Sequence, residues 1–316
     1  MKIAVIGNGA WGSALAALAR RRGHSVTVWG RHPRDGECSD LEEALRDAEM
    51  VLLGVASHAM REVCTHAKTH IPRNALLVSL AKGIEQDTDL RMSQVIAAST
   101  ERQKVAVMSG PTFASEIMRG MPSAIVCAAA DEAWARSVQE ALNGDDFRVY
   151  THTDVVGVEL GGALKNIMAI AAGVCVGLGL GENTLAALIT RGLAELSRIG
   201  TALGGHSNTF YGLSGVGDLI LTCSSRQSRN RQVGEGLGRG QTLQEVLSSL
   251  KGTAEGVKTS RSVHQMLQKE KLEAPILQEI YRVLYEGRTA RDAVRALMGR
   301  EPKSEFDPAK PQRRKA

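Results

Sequence analysis

Short runs of apolar and β-branched residues alternate with helix-period segments through the first half of the chain. Strands are predicted at 2–6, 25–29, 50–55, 75–80, 104–108 and 123–127, with helical segments between most of them, including 11–22, 41–48 and 90–99. Unbroken apolar runs such as Val51-Leu52-Leu53 suit strands covered on both faces, and strand–helix alternation predicts a parallel, doubly wound α/β sheet over 1–150. Beyond Tyr150 no further strand is read. Helical segments at 155–179, 184–203, 243–250, 257–270 and 276–285 predict an all-helical C-terminal domain over 151–299. The end, 300–316, carries Pro302, Pro308 and Pro311 among charges without apolar periodicity, and is expected to be a disordered tail. The most apolar stretch, 167–181, falls short of the roughly 20 apolar residues that a membrane span needs, so it reads as a buried helix.

The chain has 316 residues, enough for two domains. Its net charge is +5, and the stretch 300–316 supplies +3 of it through six basic and three acidic residues, so the body is only mildly basic. That balance suits anionic substrates but does not call for nucleic acid, and 3% aromatic residues leave few side chains to stack on bases. The five cysteines are scattered, with no close pair for a redox or zinc motif and an odd count. A reducing, cytoplasmic setting is expected, with no metal and no export segment at the N-terminus.

Gly7-Asn8-Gly9-Ala10-Trp11-Gly12 follows the first predicted strand and opens a helix. Glycines there permit a tight turn, approach of the backbone to a pyrophosphate, and close packing of helix on strand, the signature of a Rossmann-type dinucleotide site. An ordinary glycine-rich turn is the alternative. An acid usually ends the second strand of an NAD site, about 20 residues beyond the glycines. Here the place reads Gly30-Arg31-His32, whose cations suit a 2′-phosphate. NADP(H) is therefore expected to be accepted at least as well as NAD(H), unless Arg31 and His32 are a solvated surface pair.

Gly161-Gly162-Ala163-Leu164-Lys165-Asn166 sets Lys-Asn inside an apolar helix, where lost solvation suits a proton-transfer lysine; a snorkelling lysine would have the same pattern. Gly215-Val216-Gly217-Asp218-Leu219 leads to Thr222 and then to Ser228-Arg229-Asn230, which could grip a phosphate or merely cap a helix. Lys82-Gly83 and Gly110-Pro111-Thr112-Phe113-Ala114 each follow a predicted strand, and so face the ligand crevice of an open sheet.

Taken together, these motifs and Ala254-Glu255-Gly256 resemble, in order and over about 1–300, the bacterial NAD(P)-dependent glycerol-3-phosphate dehydrogenases. The resemblance implies reversible hydride transfer between a nicotinamide and C2 of dihydroxyacetone phosphate, giving sn-glycerol 3-phosphate for phospholipid synthesis. It implies that Lys165 moves the proton, that Lys82 lies near substrate and nicotinamide, and that Asp218 orients Lys165 or the substrate. Gly110, Thr112, Asn166, Thr222, Ser228, Arg229 and Asn230 would line the substrate site. Gly7, Gly9, Ala10, Trp11, Gly12, Arg31, His32, Lys82, Ala114, Arg229, Thr253 and Glu255 would contact the cofactor. Two places depart from the family pattern: Ala10 replaces a serine, and the span between Trp29 and Leu41 lacks a Tyr-Leu-Pro-Gly-like stretch on the adenosine side. Competing expectations are another two-domain dehydrogenase acting on a hydroxy acid or hydroxyacyl thioester, and an NADPH-binding regulator without turnover. A homodimer would cover apolar helix in the second half.

Overall fold

The computed structural model describes residues 1–250, 252–302, 304 and 305. Apart from residues 300–302, 304 and 305, the expected disordered tail lies outside the described residues. Seven strands form one sheet: β1 (Lys2–Ile6), β2 (Ser25–Trp29), β3 (Met50–Leu53), β4 (Leu76–Ser79), β5 (Val105–Ser109), β6 (Ser123–Ala129) and β7 (Phe147–His152), in the order β2-β1-β3-β4-β5-β6-β7. Strands β1 to β5 run parallel, as the apolar runs predict. Alternate residues of β1 enter cores on opposite faces, Ile3 and Val5 on one and Ala4 and Ile6 on the other. Helices α1 (Ala10–Arg21), α5 (Ala114–Met118) and α6 (Glu132–Leu142) cover the first face. The second is covered by α2 (Leu41–Leu45), α3 (Met60–Ala67) and α4 (Met92–Thr100).

Two features correct the expected all-parallel sheet. Strand β6 pairs with β5 antiparallel, because the link between them holds only a five-residue helix and makes no full crossover. Strand β7 continues past Tyr150, where no strand is expected, and pairs parallel with β6 across α6. It is an edge strand whose inward side chains are chiefly Phe147 and Val149, too few to stand out in the sequence.

The helices that follow are α7 (Val155–Gly177), α8 (Glu182–Ala202), α9 (Asp218–Ser224), α10 (Arg229–Gly238), α11 (Leu243–Ser249), α12 (Glu255–Glu270), α13 (Pro275–Tyr285) and α14 (Ala290–Met298). Helix α7 is long and apolar enough by length and composition to cross a membrane, but 89% of its most apolar window is buried against the rest of the chain, as a core helix would be. It packs against α8, α9, α10, α12 and α13. Small residues allow α10 to approach it backbone to backbone: a Cβ at Gly173 would lie 2.0 Å from the Arg231 carbonyl oxygen, and one at Gly234 1.9 Å from that of Ile170. Buried Glu159 of α7 accepts from the Ser93 backbone at 2.7 Å and the Arg91 guanidinium at 2.5 Å, tying α7 to the start of α4.

Strand order reverses around β1, which places its carboxyl end at the crevice where open sheets bind ligands. The glycine loop lies there. Gly7 has φ +110°, and Gly12 is so close beneath it that a Cβ at position 12 would fall 2.0 Å from the Gly7 carbonyl oxygen. Gly12→Ala should force α1 off the loop, costing about 1–3 kcal/mol in denaturant unfolding and weakening nucleotide binding; unchanged stability would show that the contact relaxes freely.

Candidate active site

Beyond the ends of the strands, a cleft of about 370 Å³ separates the sheet from the helices. Gly9, Ala10, Trp11, Lys82, Thr112 and Ala114 line it from the sheet half; Lys165, Asn166, Asp218, Thr222, Ser228, Arg229, Asn230, Thr253 and Glu255 line it from the helical half. Gly110 stands just behind, its carbonyl accepting from Lys82 Nζ at 2.8 Å and from Thr112 Oγ1 at 3.2 Å. Gly7 and Gly12 form the packing beneath the loop.

Asp218 and Thr222 are one turn apart on α9 and so share a face, and their side chains meet Lys165 of α7. Lys165 Nζ donates to Thr222 Oγ1 at 2.7 Å and pairs with Asp218 Oδ1 at 3.0 Å; Thr222 in turn donates to Asp218 Oδ1 at 3.1 Å. The other carboxylate oxygen accepts from Lys82 Nζ at 2.6 Å. The side chains of Lys165 and Asp218 are only 8% and 2% exposed. Burial pushes the Lys165 ammonium down to about 8, with the Lys82 cation adding to the depression and Asp218 opposing it. Burial alone would raise Asp218, but the Lys165 and Lys82 cations outweigh it and hold its carboxyl below the ordinary range.

Asparagines align the neighbouring backbone. Asn166 donates to the Lys82 carbonyl at 3.4 Å and accepts from Asn230 Nδ2 at 2.9 Å, while Asn230 Oδ1 accepts from the Gly256 backbone at 2.9 Å. Ser228 caps α10, accepting from the Arg231 backbone. Arg229, beside it, has no ion-pair partner among the described residues. Two lysines and an arginine against two carboxylates, Asp218 and Glu255, leave the cleft lining with a small positive excess, which suits an anion.

The nucleotide end follows from the start of α1. Its N-cap is Gly9, with no side-chain cap and no acid in the first turn, and a Cβ at Gly9 would meet nothing within 4 Å. Free backbone N–H groups at a helix N-terminus beside open space fit a pyrophosphate. Glu255 faces this end and accepts from Ser57 Oγ at 2.5 Å across the two halves. Arg31 and His32 do not join the cleft lining: the Arg31 guanidinium pairs with Glu62 at 2.6 Å on the surface, and the His32 carbonyl accepts from Asn8 Nδ2 at 2.8 Å. Among the described residues no group of three or more His, Cys, Asp or Glu could hold a metal.

Two residues beside the site carry no sequence signal of their own. Ser57 reaches Glu255 only through folding. Gln227 lines the cleft and bonds Ser115 at 3.0 Å and Glu116 at 3.3 Å on α5; its sole cue is its position beside Ser228.

The model of the NAD-dependent glycerol-3-phosphate dehydrogenase N-terminus matches residues 2–38 and 36–135, and that of the C-terminus matches 154–295. The two N-terminal segments meet within the short span before Leu41. Glycerol-3-phosphate dehydrogenase [NAD(P)+] of Citrifermentans bemidjiense is 47% identical, over 96% of this chain and 98% of its own. A crystal structure of glycerol-3-phosphate dehydrogenase from Coxiella burnetii aligns with a TM-score of 0.89 at 35% identity, covering 95% of this chain and 99% of that one. A D-mandelate dehydrogenase complex aligns over 93% of this chain with a TM-score of 0.62 at 11% identity, which shows the fold alone. With both halves matched, in order and over nearly the full length, the chain belongs to the NAD-dependent glycerol-3-phosphate dehydrogenase family.

Proposed function

We propose that the protein interconverts dihydroxyacetone phosphate and sn-glycerol 3-phosphate with NADP(H) or NAD(H). The observation that carries this reading is the Lys82–Asp218–Lys165–Thr222 cluster, which shares one cleft with the glycine loop and with the uncompensated Arg229. The bound nicotinamide supplies or accepts the hydride at C2. In the reductive direction Lys165 gives its proton to the C2 oxygen, and in the oxidative direction it takes that proton back. Asp218 and Thr222 fix the direction of its ammonium group, and Lys82 adds positive charge where the alkoxide develops. Arg229 receives the phosphate with Ser228 and Asn230 at the start of α10, so the unphosphorylated ketone should be a poor substrate.

The division into a nucleotide-binding half over 1–150 and a substrate half over 151–299 is supported by the end of the sheet at His152 and the start of α7 at Val155. Family membership supports a cytoplasmic role supplying glycerol 3-phosphate for phospholipids. Exposure of Tyr211 and Ile220 supports a homodimer, which sedimentation would test.

Absorbance assays of NADPH or NADH oxidation with the phosphorylated and unphosphorylated ketones test the reaction. Turnover with the phosphorylated ketone alone is expected; tight NADPH binding without turnover would favour a regulator. Lys165→Ala should lower kcat by about 10²–10⁴-fold while nucleotide binding persists, and a near-native rate would remove the residue from proton transfer. Arg229→Ala should weaken binding of the phosphorylated ketone by about 2 kcal/mol, read as a raised KM; an unchanged KM would exclude it from the phosphate site. Because Lys165 must be protonated to reduce the ketone and neutral to oxidise the alcohol, reduction should fall and oxidation rise as pH passes through about 8. Profiles flat across that range would contradict the assignment.

A further inference from the structure

The short span after β2 folds back on the glycine loop. A turn closed by Glu37 N–H donating to the Arg34 carbonyl at 2.9 Å, with Gly36 at φ +80°, returns the chain to the strand, where Cys38 N–H donates to the Val28 carbonyl at 2.8 Å. This return brings the Glu37 carboxylate to Asn8, the residue between the first two glycines. Asn8 Nδ2 donates to Glu37 Oε2 at 2.7 Å and to the His32 carbonyl at 2.8 Å, and the Arg34 backbone donates to the same Glu37 oxygen at 2.8 Å. The Asn8 side chain lies so close over Gly30 that a Cβ there would fall 2.3 Å from it. Glu37 Oε1 has no hydrogen-bond donor among the described residues.

An acid is therefore present at the end of β2, although the residues that end the strand are Gly30, Arg31 and His32. It comes from seven residues further along than Gly30 and is carried back by the turn. Burial works to raise the Glu37 carboxyl, but its bond from Asn8, the Arg34 backbone bond and the Arg34 and Arg20 charges hold it below the ordinary range, so it is a carboxylate at neutral pH. The Arg34 guanidinium reaches Ser13 of α1 at 3.4 Å, on the other side of the loop. Resting on the cofactor reading above, we propose that Glu37, braced by Asn8, sets selectivity at the ribose 2′ position: its free oxygen receives the 2′-hydroxyl of NAD(H) and its charge opposes the 2′-phosphate of NADP(H), against the attraction of Arg34. One carboxylate among cations gives discrimination through a repulsive element as well as an attractive one.

The test is equilibrium titration of the full chain with NADPH, NADH, 2′,5′-ADP and 5′-ADP, followed by fluorescence of Trp11 in the cleft or by calorimetry, for wild type, Glu37→Gln and Arg34→Ala. Glu37→Gln keeps an acceptor for Asn8 and removes the charge. It should shift the ratio of dissociation constants about tenfold in favour of NADPH over NADH, and of 2′,5′-ADP over 5′-ADP, with the shift shrinking as salt is added. Arg34→Ala should move both ratios the other way, with unfolding midpoints unchanged. Equal changes for phosphorylated and unphosphorylated partners, or none, would overturn the proposal and reduce Glu37 to a brace of the loop. A wild-type protein that bound none of the four would overturn the cofactor reading and this inference with it, whereas binding without ketone turnover would overturn the reaction alone.

Discussion

A single carboxylate shared by two ammonium groups in the interior organises the molecule. Asp218 accepts from Lys82 of the sheet half and Lys165 of the helical half, and the three groups lie on elements far apart in sequence. Charges so deep in the protein are stable only together: removing one partner of a buried pair typically costs about 3–5 kcal/mol, because the charge left behind has neither water nor counter-ion. The same carboxylate that opposes the depression of the Lys165 proton affinity by burial thus also fixes how the sheet and helices meet. Glu159, gripping Arg91 and Ser93, provides a second tie between α7 and the sheet half.

The cluster is possible because of how α7 is built. A helix this apolar must be surrounded, and its glycines let α10 press against its backbone. That close approach sets Asn230 against Asn166 and brings the start of α10, with Ser228 and Arg229, to the rim of the cleft beside Lys165. Packing of small residues therefore positions the candidate phosphate site relative to the candidate proton donor at a distance that side chains alone could not hold.

Much of this was legible in the sequence, for physical reasons that differ by element. Strands β1, β3, β4 and β5 are buried on both faces and show as largely apolar runs, and the glycine loop shows because Gly7 and Gly12 leave no room for a Cβ. Strand β7, half-exposed at the edge, leaves little pattern, and the reversal of β6 is a matter of connection rather than composition. Helix α9, at seven residues, is too short for periodicity to reveal it, and α10 has few apolar positions, yet their polar residues stand out among small ones. Lys82, Lys165, Asp218, Thr222 and Arg229 are read from the sequence and share the observed cleft. The pairing of Arg31 with Glu62, the Ser57–Glu255 bond and the return of Glu37 to Asn8 depend on tertiary approach and leave no local trace.

The central claim is that Asp218 holds up the proton affinity of a buried Lys165 that burial and Lys82 push down. It is tested most directly by the pH dependence of ketone reduction in Asp218→Asn beside the wild type, with nucleotide binding as the check on folding. Loss of the carboxylate should move the break in the profile from about 8 to lower pH. A break that stayed in place or moved upward would show that Asp218 is not the counter-charge of the proton-transfer lysine.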